Sequence, residues 1–127
     1  MAKEKQTSYD KRRTVVLSVG FLTNILVASA LAQSSDYIYW TEATKVRRAN
    51  LDGTGAQDLV TGVSAGHGIA LDLPNNHMYW MENTAGKIRR ANLDGSSPQD
   101  IITGLRSGRG RGIALDLTNN HIYWGVD

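Results

Sequence analysis

The chain of 127 residues has room for one ordinary domain. It contains no cysteine, which excludes disulfides and thiolate metal centres. Its net charge of +2 comes from residues 1–32, with five Lys/Arg against two Asp/Glu; from Gln33 onward nine basic residues face ten acidic ones, so nothing here points to nucleic-acid binding.

In chain order, the first predicted element is an export leader over residues 1–32. A basic stretch ends in Lys11-Arg12-Arg13, an uncharged and mostly apolar run follows from Thr14 to Ala32, and it closes on Ala30-Leu31-Ala32, the small-x-small pattern of a signal-peptidase site. The segment is expected to be a helical signal peptide cleaved before Gln33, or else a retained membrane anchor, since the run has about the length of one bilayer crossing. Gly20, Thr23, Asn24 and Ser29 dilute the run and favour cleavage. The pair Arg12-Arg13 leaves the export route open.

From residue 36 the chain repeats itself. Ile38-Tyr39-Trp40 recurs as Met78-Tyr79-Trp80 and as Ile122-Tyr123-Trp124. Arg47 to Gly53 recurs unchanged as Arg89 to Gly95, and Gly68 to Leu73 recurs unchanged as Gly112 to Leu117. Asn75-Asn76-His77 returns as Asn119-Asn120-His121. Spacings near 40 residues with several short apolar runs per period predict a closed β-repeat such as a propeller blade. Ile69, Leu71 and Leu73 alternate as one face of a strand, whereas Leu59-Val60-Thr61 and Ile101-Ile102-Thr103 are β-branched runs ended by Gly62 and Gly104. Asp52-Gly53, Asp94-Gly95 and the Asn-Asn pairs are residue types that accept positive φ in tight turns. The predicted class is all-β, with antiparallel four-stranded blades and almost no helix after the leader.

These linked motifs resemble the YWTD repeat of the low-density lipoprotein receptor family (class B repeat), over residues 36–127 within an expected domain at 33–127. The resemblance implies a strand order within each blade. Gly-Ile-Ala-Leu-Asp is innermost, Tyr-Trp second, the Arg-Arg-Ala strand third and Leu-Val-Thr outermost. On that mapping the chain supplies three outer strands, one complete blade and two inner strands, a partial propeller of about two repeats where the family closes six. Two departures stand out: Glu42 and Glu82 replace the motif's aspartate, and Gly125-Val126-Asp127 follows Trp124.

The resemblance further implies a non-enzymatic, extracytoplasmic binding or scaffold module. Its partner would be a protein or glycan on a propeller face, with no cofactor, no nucleic acid, and a membrane only if the leader is retained. Uncovered blade faces also predict self-association. Candidate binding residues lie in the connections from an outermost strand to the next innermost one, namely His67 and the cationic Arg106, Arg109 and Arg111. The alternative is an enzyme of lactonase or lyase type using the Arg106–Arg111 loop. Tyr39, Trp40, Tyr79, Trp80, Tyr123 and Trp124 are expected to pack blade against blade. Asp72 and Asp116 repeat once per blade, as structural residues do, whereas catalysis needs unlike groups converging on one point. His77 and His121 also repeat, but without partners at ligand spacing, so no metal site is expected. One arginine of each pair, Arg47-Arg48 and Arg89-Arg90, is expected to face a neighbouring blade and meet Glu42 or Glu82.

Overall fold

The computed structural model describes residues 14–18, 27–31 and 36–127. In the N-terminal unit, β1 (Thr14–Ser18) and β2 (Val27–Leu31) pair antiparallel, with Thr14 opposite Leu31 and Ser18 opposite Val27. Over these ten residues the expected helix is replaced by extended chain. Thr14, Val15, Val16 and Val27 are β-branched, which restricts χ1 in a helix and favours a strand. The signal-or-anchor assignment of residues 1–32 otherwise falls outside the described residues. Among those described, no helix is long and apolar enough to cross a membrane.

The second unit, Asp36–Asp127, is built of nine strands in three antiparallel sheets, with no helix. The first sheet holds β3 (Tyr37–Thr41), β4 (Lys45–Asn50) and β5 (Gln57–Thr61) in that order. The second holds β6 (Gly66–Asp72), β7 (His77–Glu82), β8 (Lys87–Asn92) and β9 (Gln99–Ile102). The third pairs β10 (Gly110–Asp116) with β11 (His121–Val126). The expected pattern of three outer strands, a full blade and two inner strands is therefore present, and the sheets are blades of a partial propeller.

Register decides which side chains meet. Directly opposed residues share a sheet face. In the second blade Leu71, Met78 and Ala91 lie in one row, and Ile69, Trp80 and Arg89 in the next. That face meets Val46, Val60, Tyr39 and Leu59 of the first blade, with Val63 from the connecting loop. Trp80, Met78 and Val46 are fully buried there, so the Tyr-Trp strand forms the core between the first two blades. Met81 and Ile88 alternate to the other face, where the start of β10 packs. The outer blades are less covered: Ile38 is 46% exposed, Trp124 40% and Tyr123 56%, so the repeated aromatics are core in the middle and surface at the last blade.

The turns follow the repeat. Asp72 accepts hydrogen bonds from the backbone N–H and side-chain amide of Asn75, and Asp116 does the same for Asn119, which makes both aspartates turn-formers. The second asparagine of each pair, Asn76 and Asn120, takes positive φ. Leu73 is a correction. Strand β6 ends at Asp72, and Leu73 sits in the turn at 65% exposure because the Asp72–Asn75 bonds close the chain before a further strand residue can form.

Candidate functional site

Each of the first two blades carries the same polar ladder near one end of its sheet. Trp40 Nε1 donates to Glu42 Oε1 (3.0 Å), which also accepts from Arg47 Nη1 (3.2 Å). Arg47 Nε lies 2.7 Å from Asp58 Oδ1, and Lys45 Nζ donates to Asp58 Oδ2 (2.7 Å). One blade on, Trp80 donates to Glu82 (3.1 Å), Arg89 donates to the same oxygen (3.2 Å), and Arg89 and Lys87 reach Asp100 (2.9 and 3.2 Å). The arginine planes also sit over the indole rings, 5.4 Å from the Trp40 centroid and 5.6 Å from that of Trp80.

These contacts are a brace across three strands, made of identical groups in successive blades. Glutamate in place of the motif's aspartate still reaches the indole. Burial separates the two copies: the Glu82 side chain is 2% exposed and that of Glu42 is 41% exposed. Glu82 Oε2 additionally accepts the Ser64 N–H (3.2 Å) from the connecting loop. Hydrogen bonds from Trp40 and then Arg47 hold the Glu42 carboxyl below its ordinary value, and the bond from Lys45 does the same for Asp58.

The two arginines of each pair divide their roles. Arg47 and Arg89 meet glutamates of their own blades, whereas Arg48 reaches the next blade and donates to the Leu93 carbonyl (3.2 Å). Successive strand residues point to opposite faces, so Arg89 lies on the Trp80 face that meets the first blade and pairs there with Glu82. In the first blade it is Arg48 and not Arg47 that reaches the next blade. Sequence reasoning missed Asp58, Asp100, Lys45 and Lys87. The recurrence of Gln-Asp at 57–58 and 99–100 and of Lys at 45 and 87 was the available signal.

The candidate binding end is formed by the loops that join one blade to the next. They are knitted by backbone bonds: Val63 N–H to Thr44, Asn83 N–H to Ala65, Thr84 N–H to Ser64, Leu105 N–H to Gly86 and Gly108 N–H to Asn83. The buried Asn83 side chain adds a two-way clamp, accepting from the Gly110 N–H (2.8 Å) and donating to the Gly110 carbonyl (3.0 Å). Gly110 is fitted to this seat, since a Cβ there would overlap Met81 Sδ and Asn83 Oδ1. Asn83 has no counterpart in the first blade, where Ala43 stands at that place, so the repeat carried no sign of it. Asn83→Ala leaves a buried N–H and C=O without partners and is expected to cost about 1–3 kcal/mol. Urea unfolding checks this, and an unchanged midpoint would show that the clamp carries no stability.

The predicted binding residues fall on this end with altered assignments. His67 and Arg111 are the second residues of strands β6 and β10 and not loop residues, each at an irregularity in its strand's register. This irregularity lets the inner strands approach closely, and a Cβ at Gly68 would lie 3.0 Å from the Gly112 Cα. His67 and Arg111 are thus equivalent residues on adjacent, touching strands, and both are exposed. Arg111 Nε donates to Asp127 Oδ2 (2.6 Å), and Arg109 Nη1 donates to the Asp127 carbonyl (3.2 Å), so Asp127 gathers two of the three arginines. That carboxylate raises the Arg111 pKa further. Arg106 is exposed in the loop before them. His77 and His121 pack edge-on to Tyr79 and Tyr123, and the described residues contain no group of three or more metal-ligating side chains.

No family model matches the chain, and no curated protein does. Among solved structures, it is similar to a chain of the crystallised nidogen/laminin complex, a YWTD-type β-propeller, at 26% identity with a TM-score of 0.65. The match covers 72% of this chain and 35% of that one, so the described blades correspond to about a third of the longer propeller. Sheet order, repeat register and this likeness together give the chain the fold of a YWTD-like β-propeller in part.

Proposed function

We propose that this chain is a non-enzymatic protein-binding module that works outside the cytoplasm, and that it engages an acidic partner segment with the loop end bearing His67, Arg106, Arg109 and Arg111. The observation that carries this reading is a cationic surface on a braced support. Three exposed arginines lie at this end, two of them (Arg109 and Arg111) held by Asp127, beside loops held together by the Asn83 clamp and the loop-to-loop bonds. A rigid support lowers the ordering cost of binding. The similar propeller comes from a complex of two proteins, which supports a protein over a glycan partner. The leader-like residues 1–32 support export.

Against the lactonase or lyase alternative stands the chemistry of the same loop. It brings together like groups, all cations, with Arg109 and Arg111 turned to Asp127, where an acid–base mechanism needs unlike groups around one reacting atom. Titration of the chain with a labelled Glu/Ser decapeptide tests the proposal. Binding should weaken as salt rises, and fall at least about tenfold when Arg106 and Arg109 are both replaced by alanine, the scale of two lost charge-assisted bonds. Equal affinity for parent and variant would overturn the site, and lactone turnover lost with Arg109 would overturn the function class.

A further inference from the structure

The chain holds two Asp-Gly peptides, Asp52-Gly53 and Asp94-Gly95, each at the end of the same run, Arg-Arg-Ala-Asn-Leu-Asp-Gly. Asp-Gly is the sequence most open to spontaneous isomerisation, because glycine has no side chain to shield its backbone nitrogen. That nitrogen attacks the aspartate Cγ, one water leaves, and a succinimide ring forms. A water molecule then opens the ring. Attack at Cγ restores aspartate, whereas attack at the α-carbonyl carbon leaves the glycine nitrogen joined to Cγ and frees the α-carboxylate, giving isoaspartate.

Both turns carry the same local restraints. The Gly53 N–H donates to the Asn50 carbonyl and the Gly95 N–H to the Asn92 carbonyl, each at 2.9 Å. Asp52 Oδ1 accepts from the hydroxyl and N–H of Thr54, and Asp94 Oδ1 from those of Ser96, which holds both carboxyls below their ordinary value. The second turn is also held by the first blade. Leu93 packs into the core between these blades, and its carbonyl accepts from Tyr39 Oη (3.4 Å) and Arg48 Nη1 (3.2 Å). Gly95 lies so close to β5 that a Cβ there would come within 2.3 Å of the Leu59 carbonyl oxygen. Asp94 is thus fixed on both sides by the first blade, and swinging the Gly95 nitrogen onto Cγ has to lift one of those sides away.

We propose that Asp94 is a latent isomerisation site, closed by the contact between the first and second blades and opened when that contact loosens. Water is the sole co-reactant, leaving in the first step and returning in the second, and nothing is oxidised or reduced. Isoaspartate runs the backbone through Cβ and Cγ, one atom longer than before. Gly95 then no longer fits its place beside Leu59, and the blades cannot close in their original register. A transient parting of the blades therefore becomes a permanent one. This device is separate from the arginine-rich end and does not depend on it.

The test is a prolonged incubation of the whole chain at neutral pH, in buffer and in urea, followed by tryptic digestion. Fragment-ion mass spectrometry then measures isoaspartate in the peptides 49–87 and 91–106, which carry the two sites. In urea the two sites should isomerise alike. In buffer Asp94 should react at least about tenfold more slowly than it does in urea, as expected of a reaction that waits on local opening. Arg48→Ala should raise the rate at Asp94 in buffer on the order of tenfold, the scale of one hydrogen bond from a charged group. Tyr39→Phe should raise it about threefold, and it keeps the test in force if Arg48→Ala does not fold. Equal rates at Asp94 in buffer and urea, rates in both variants no higher than in the parent chain, or a rise matched at Asp52 would each overturn the proposal.

Discussion

Replacing Trp80 with alanine is expected to destabilise the protein by about 3–5 kcal/mol, and the same change at Trp40 or Trp124 by distinctly less. The three tryptophans occupy one repeat position, so their side-chain chemistry is identical and only their surroundings differ. Trp80 is fully buried between the first and second blades, in the row of Ile69 and Arg89. Its removal deletes apolar contact on both sides of the interface and leaves a cavity that the fully buried Met78 and Val46 cannot fill without moving. Trp40 is half-buried, and Trp124 is 40% exposed with no third strand described beside it. Urea midpoints of the three variants provide the comparison. Equal shifts, or a larger one for Trp124, would mean that the last blade is covered in solution.

Glu82→Ala should be the second most damaging change, at about 3 kcal/mol, because it strips a largely covered cation of one partner and leaves the buried Trp80 N–H and the part-buried Ser64 N–H without an acceptor. The carboxylate serves Trp80, Arg89 and the Ser64 backbone, so its loss strips the brace of the second blade and the anchor of the loop between the blades. Arg89 keeps Asp100, which softens the loss of charge pairing, but its Nε sits off the line of a hydrogen bond to that carboxylate. The same substitution at Glu42 should do much less, since its side chain is 41% exposed and water replaces the lost contacts. Glu82→Gln separates the causes. It retains an acceptor for the indole and loses the charge facing Arg89, so it should recover part of the loss. Matching effects at Glu42 and Glu82 in thermal unfolding would contradict the assignment of burial as the deciding factor.

The candidate site was legible to different depths. Arg109 and Arg111 could be found as cations in a glycine-bearing loop, but their common partner Asp127 could not, because it lies 16 and more positions away and belongs to no repeated motif. The ladder glutamates were noticed as departures from a motif, and their aspartate and lysine partners went unread although they recur in both blades. Asn83 was invisible for the opposite reason: it occurs once, so periodicity had nothing to say about it.

By itself the sequence determined the blade. Strand period, turn residues and register all follow from local pattern: alternation sets which side chains share a face, Asp-Gly and Asn-Asn close the turns, and the recurrence of Tyr-Trp and Arg-Arg-Ala sets which strands pair. Only the tertiary structure decided what each repeated residue does. Trp80 is core while Trp124 is surface, and Glu82 is a buried hub while Glu42 is half in water. The physical reason is that a residue's burial depends on the neighbouring blade, which local pattern does not encode: identical repeats have identical propensities, but the first, middle and last blades have different neighbours.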